Sequence, residues 1–144
     1  MSKKIGRTNE WDLADKVTQS KLMSNSEIKQ WIDLGMDIGV NTQAHANLNE
    51  VNFAIAKKEV NNCKTDLEQI FNLTICDFCY PFGQYNEAIV KLIKGAGYTS
   101  ATIMNRGRVN NYSNNLKLPR IPITHHTLPH LFLLKLLTNY EDKR

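Results

Sequence analysis

Between Phe53 and Ile70 the apolar residues Phe53, Ala56, Val60, Cys63, Leu67 and Ile70 recur at spacings of 3, 4, 3, 4 and 3. Only a helix with 3.6 residues per turn gathers such a set on one face. The run Leu73 to Tyr80 follows at once and reads as a strand. The period switches back for Ile89, Val90, Leu92 and Ile93, and again for Tyr98 to Met104. Strands alternating with helices predict a parallel sheet with crossover helices. In such folds the chemistry gathers at the carboxyl ends of the strands.

Local signals place the remaining elements. Ser24-Asn25-Ser26-Glu27 is a capping box, in which a serine hydroxyl and a reaching glutamate satisfy free N–H groups at a helix start. Ile28, Trp31 and Leu34 continue at helical spacing, and Gly35 stops the helix. Met36 to Val40 alternates like a short strand, and Asn41 to Leu48 is a polar loop. Pro81-Phe82-Gly83 closes the second strand with a turn, Asn86-Glu87 caps the next helix, and Gly95-Ala96-Gly97 ends it. Residues 105–117 form an Asn-rich loop, and Leu118 to Ile123 is extended but confined to an edge by Pro119 and Pro122. A last helix starts at Pro129 and runs to about Tyr140. Residues 1–23 read as a polar loop with room for a short helix, anchored by Ile5, Trp11, Leu13, Val17 and Leu22.

Composition excludes several classes. With 144 residues the chain suits one domain and is short for a complete (β/α) barrel, which needs roughly 200 residues. Hydrophobic residues make up 42%, too many for a disordered chain. No apolar stretch reaches the ~18 residues of a membrane helix, and no apolar run follows the charged start as in a signal peptide. Three cysteines, Cys63, Cys76 and Cys79, form no even disulfide framework. A cytoplasmic, reducing location is therefore expected. The net charge of +4 is mild, and Arg106, Arg108 and Arg120 lack the aromatic platform or helix-turn-helix of a nucleic-acid binder. No nucleic acid is expected as a partner.

Four strand ends could carry chemistry. Asn41 and His45, four residues apart, follow the first strand, where an imidazole and an amide oxygen could face a divalent cation. A polar turn with a surface histidine explains the same residues more simply. Tyr80 to Asn86 places backbone N–H groups between a strand end and a helix start, suited to an anion or oxyanion, although a plain strand-to-helix turn needs Gly83 as well. Cys76-Asp77-Phe78-Cys79 is a CxxC inside a strand, where its thiols face opposite sides, so Cys63 and Cys76 read as buried small hydrophobes. His125, His126 and His130 follow the last strand, where one could act as a general acid or simply face solvent.

Together these loops resemble the second half of a NodB-homology polysaccharide deacetylase, carbohydrate esterase family 4. The family's Ile-Gly-Ser-His-Thr-x-x-His-Pro-x-Leu is similar to Ile38 through Leu48, and the helix end before it to Trp31 through Gly39. Its Tyr-Pro-[Tyr/Phe]-Gly-x-Tyr-Asn is similar to Tyr80 through Asn86, and Ala-Gly-Tyr-x-x-Ala to Ala96 through Ala101. Ile5-Gly6, Thr8-Asn9, Trp11-Asp12, Leu22-Met23-Ser24 and Leu118-Pro119-Arg120 resemble one branch of it. The resemblance implies an α/β chain forming a partial, distorted (β/α) barrel with its N-terminal strands missing. On it, residues 1–144 are one truncated deacetylase domain.

It also implies metal-dependent hydrolysis of N-acetyl carbon–nitrogen bonds on an N-acetylated polysaccharide or oligosaccharide. The family holds a divalent metal, often zinc, with an Asp and two His, and uses a second Asp as base. His45 corresponds to a metal ligand, Asn41 stands where the other metal histidine belongs, Phe82 would supply the oxyanion N–H, and His125 or His126 would be the acid. The family's Thr-Phe-Asp-Asp strand is absent from this sequence, and the slot of its usual arginine before the Pro-Phe-Gly turn falls near Cys79. The expectation is an impaired deacetylase with weakly held zinc. The alternatives are an inactive carbohydrate-binding or interaction module, or the product of a split gene. A half barrel leaves strand edges and apolar faces open, so self-association is expected.

Overall fold

A computed structural model describes residues 4–8 and 19–143. Trp11, Asp12, Leu13, Asp15 and Val17 lie outside the described residues. The elements are α1 (Asn25–Asp33), α2 (Phe53–Phe71), β1 (Asp77–Cys79), α3 (Glu87–Gly95), β2 (Ser100–Arg106), β3 (Leu118–Arg120) and α4 (Pro129–Leu137), with 3-10 turns at Pro81–Gly83 and Glu141–Lys143. β1, β2 and β3 form a parallel sheet in that order. Val40 adds a parallel bridge to Phe78 on the outer side of β1. The described residues thus form an α/β arrangement with helices around a three-stranded parallel sheet.

The order predicted from hydrophobic period holds because each helix has a face to bury. Ala56, Val60, Cys63 and Leu67 of α2 and Ile89, Val90, Leu92 and Ile93 of α3 are buried. They pack with Phe78, Ala101 and Ile103, the inward residues of the alternating strands. Tyr98, just before β2, stacks near Phe78 and donates its hydroxyl to the Val60 carbonyl at 3.3 Å. The opposite sheet face carries Asp77, Cys79, Ser100 and Thr102, none of them buried. Ser100 donates to the Asp77 carboxylate across the ladder.

Several elements are shorter than their sequence patterns. Met36 to Val40 alternates, yet only Val40 pairs. Alternation reports a two-faced segment, and a strand also needs a neighbour along its length. Leu73 to Tyr80 contributes three strand residues, and α4 stops at Leu137. Cys76 is half-buried rather than buried, because it borders a cavity shared with Ile32, Met36 and Leu73. The Asn-rich loop before β3 is built of Asx turns: Asn110 Oδ1 accepts from Tyr112 N and Asn114 Oδ1 from Leu116 N, each at 2.9 Å. Residues 4–8 return onto residues 21–23 through Gly6 N to the Met23 carbonyl and Leu22 N to the Arg7 carbonyl. No described helix is long and apolar enough to cross a membrane.

Candidate functional site

The Val40 bridge decides where the first polar loop emerges. Val40 N donates to the Asp77 carbonyl at 2.9 Å and Cys79 N to the Val40 carbonyl at 2.8 Å. Residues 41–48 therefore leave the sheet beside the turn that follows β1. Thr42 and His45 hold left-handed backbones, φ 54° and 61°, which cost a non-glycine residue about 1 kcal/mol or more each. That shape is held from outside. Gln43 Nε2 donates to Asp66 Oδ2 at 3.0 Å and Ala44 N to Glu59 Oε2 at 2.8 Å, both carboxylates belonging to α2. Thr42 and Leu48 are buried beneath the loop.

The second loop is equally constrained. Tyr80 is buried, its hydroxyl donates to the Leu116 carbonyl at 3.0 Å, and burial raises its pKa. Gly83 N returns to the Tyr80 carbonyl and Gln84 N to the Pro81 carbonyl, closing the 3-10 turn. Gly83 has φ 65°, and a Cβ there would stand 2.5 Å from Met104 Cβ and 2.8 Å from Met104 N. Glycine is thus required both for conformation and for the close approach of the turn to β2. Phe82 sits at φ 57° with its ring half exposed. As the second residue of a 3-10 turn, its N–H has no partner inside the turn.

The two loops meet. The His45 and Phe82 rings stand 4.8 Å apart, edge to face. Burial, with the Lys4 charge adding to it, holds the His45 imidazole below its ordinary pKa, so its neutral form is favoured. In the same loop, Asn41 Oδ1 is buried without a hydrogen-bond partner among the described residues. An orphaned amide oxygen and a neutral imidazole are the right kinds of atom for a cation. They are two donors, and only one of them is a strong one. Among the described residues no three His, Cys, Asp or Glu side chains come together. A catalytic zinc takes three protein ligands, so the residues present do not complete its site.

His125 and His126 are exposed and stack on each other at 3.7 Å, in a turn closed by Thr127 N to the Thr124 carbonyl. Among the described residues no hydrogen bond or ring contact joins either one, or His130, to His45 or Phe82. Cys63, Cys76 and Cys79 are all free thiols. A contact that sequence reading missed joins Arg120 Nη1 to Cys79 Sγ at 3.8 Å, bringing a guanidinium to the end of β1. It follows from strand order, which no residue spacing reveals. The loop anchors Glu59 and Asp66 were missed too, since on the helix pattern they are only polar-face residues.

Comparison with known proteins bears on the whole arrangement. The family model for polysaccharide deacetylase matches residues 7–101. No curated protein matches the chain. Among solved structures, a polysaccharide deacetylase from Bacillus cereus is 26% identical with a TM-score of 0.74, over 81% of this chain and 37% of that one. The deacetylase PplD of Streptococcus pyogenes, solved in complex with acetate, is 22% identical with a TM-score of 0.77, over 81% of this chain and 51% of that one. IcaB from Ammonifex degensii is 17% identical with a TM-score of 0.70, over 92% and 57%. The chain thus spans between 37% and 57% of the length of these three structures.

Proposed function

The chain belongs to the polysaccharide deacetylase family, and from that premise we propose that it engages N-acetylated polysaccharides or oligosaccharides at the junction of loops 41–48 and 81–86. In this reading the hydrolysis of N-acetyl carbon–nitrogen bonds, metal-dependent in the family, is impaired in this chain. The observation that carries it is that no three His, Cys, Asp or Glu side chains come together among the described residues, with Asn41 standing where the family has a metal histidine. A divalent ion, zinc first among them, would be weakly held there.

What the chain's own groups offer is placement. The Phe82 N–H would donate to an acetamido oxygen, as a fixed dipole does for developing negative charge. The His45–Phe82 edge-to-face pair would form a wall for the sugar ring. His125 or His126 would be the acid. The incomplete donor set favours a second reading, a carbohydrate-binding or interaction module without turnover. The apolar residues left exposed on α1 and α4 support self-association as part of either reading.

The test combines zinc analysis of the purified chain with acetate release from an N-acetylglucosamine oligomer. Substoichiometric zinc and little or no acetate are expected. Stoichiometric tight zinc with clear turnover would overturn the impairment. Oligomer binding without acetate release would favour the binding module.

A further inference from the structure

The carboxyl ends of β2 and β3 carry a second feature, which borders the junction through Met104 and Cys79. Arg106 and Arg120 are register partners on these neighbouring parallel strands. They are abreast only because the ladder slips: Thr102 pairs with Leu118, and two residues further along β3 the partner on β2 is already Arg106. Irregularities of this kind redirect side chains at the ends of sheets. Like charges side by side on a sheet are destabilising, so the arrangement calls for a counter-charge.

The protein supplies that charge only in part. Arg106 lies 3.9 Å from Glu141 Oε2, but the same buried carboxylate already holds Lys135 Nζ at 2.8 Å. Arg120 pairs with no carboxylate among the described residues and touches the Cys79 sulfur instead. The nearby Arg108 is committed elsewhere, donating to Asn139 Oδ1 at 3.2 Å. Glu141 is thus shared between Arg106 and Lys135, the neighbouring Asp142 carboxylate accepts from Arg108 N at 2.7 Å, and Arg120 is left without a carboxylate partner among the described residues. Arg106 and Arg120 are both exposed and line a cavity of about 540 Å³ whose other walls are Met104, Ile121, Pro122 and Ile123.

We propose that this cavity binds an oxyanion carried on a sugar ring, a carboxylate or a phosphate of an acidic glycan. A guanidinium fork matches the two oxygens of such a group in a bidentate pair. The aliphatic walls suit the apolar face of the same ring. The cavity opens where parallel α/β sheets bind their ligands, outside the carboxyl ends of the strands. The sugar part of this inference rests on the glycan reading above, and the oxyanion part does not.

Titration calorimetry on the full chain tests it with four probes: a neutral N-acetylglucosamine oligomer, an oligomer alternating glucuronate with N-acetylglucosamine, free glucuronate, and glucose 6-phosphate. The glucuronate oligomer is expected to bind at least about tenfold tighter than the neutral one. That advantage should shrink in high salt, vanish in Arg120→Gln, and be partly kept in Arg120→Lys, which retains charge without the fork. Arg120 is exposed at an edge strand, and a matching thermal melt of each variant confirms that folding is not what changed. Equal affinity for both oligomers, or an advantage that survives Arg120→Gln, would overturn the proposal while leaving the glycan reading intact. Binding of free glucuronate or glucose 6-phosphate with no oligomer binding would support the oxyanion pocket and remove the glycan reading. The stronger of those two small probes identifies the oxyanion.

Discussion

Two nine-residue helices of this chain reverse the usual relation between hydrophobicity and burial. In α3, Glu-Ala-Ile-Val-Lys-Leu-Ile-Lys-Gly, the residues Ile89, Val90, Leu92 and Ile93 are all buried. In α4, Pro-His-Leu-Phe-Leu-Leu-Lys-Leu-Leu, the apolar residues are more numerous, yet Lys135 is the only buried one. Leu133, Leu136 and Leu137 are each more than half exposed. Burial therefore follows the surface a helix is offered, not the helix's own composition. α3 has the sheet and α2 to cover. α4 is docked through Glu141 of the turn that follows it, which holds Lys135 at 2.8 Å and lies 3.9 Å from Arg106 of β2, with the lysine also donating to the Pro122 carbonyl at 2.6 Å.

The sharpest way to break the comparison is to remove the ionic dock. Glu141 is fully buried, so Glu141→Ala leaves Lys135 charged without its partner. Breaking a buried pair from one side costs about 3–5 kcal/mol. The variant should lose protection of α4 amides in hydrogen exchange before the α3 amides change. Simultaneous loss in both helices would show that α4 is integral to the core. For α3 the corresponding change is Ile93→Ala, which opens a cavity and should lower stability by about 2–5 kcal/mol in denaturant melts. Leu134→Ala, at 40% exposure, should cost well under half of that.

These two helices also mark how far the sequence could be read. Asn86 and the Gly95-Ala96-Gly97 stop defined α3, because caps and breakers act within a few residues. Asn86 Oδ1 accepts from Ile89 N at 3.0 Å, and Ser24 and Glu27 form their reciprocal box at α1. The buried face of α2 was legible from its 3-4 period between Ala56 and Leu67, whereas Phe53 and Ile70, which the same period includes, are exposed at the helix ends. The inversion of α4 was not, because Lys135 is inside only by virtue of Glu141, a partner beyond the end of the helix. For the same reason Trp31 of α1 and Leu34 at its C-cap, spaced like a core face, are exposed at 46% and 76%. Periodicity identifies a face, and only the fold determines whether anything covers it. In the candidate site, His45 and Phe82 were each legible from their loops, and their contact came from the parallel bridge at Val40.

Capping gives a finer contrast. α3 begins on a side-chain cap, whereas Leu128 at the start of α4 has none. Asn86→Ala should cost about 1 kcal/mol, and Leu128→Asn should return a similar amount to α4, both read from thermal melts. On the outer face, replacing Leu136 and Leu137 together with Glu should change stability by no more than about 0.5 kcal/mol, since little burial is lost. If the exposed leucines drive self-association, the same double variant should sediment as a smaller species than the parent. Unchanged sedimentation would assign any association to another surface.

The smallest expected effect concerns how the core half holds its charges, at the rim rather than inside as α4 does. Glu68 of α2 accepts from Ile75 N at 2.9 Å, just before β1, and pairs with Lys64 at 3.2 Å. The Ile75 amide, more than the lysine, holds the Glu68 carboxyl below the usual carboxylate range. The folded chain thus binds this proton less readily than the unfolded chain does. The stabilisation is fully present above about pH 4.3, the ordinary glutamate value, and is lost as pH falls through the lower folded value. Glu68→Gln should therefore flatten the acid limb of a stability-against-pH curve below about pH 4.5. Near pH 7 it should cost only the charge-assisted part of the hydrogen bond. An unaltered acid limb would mean that the Ile75 amide finds the same support from water, and that the rim charges of the core half carry no part of its stability.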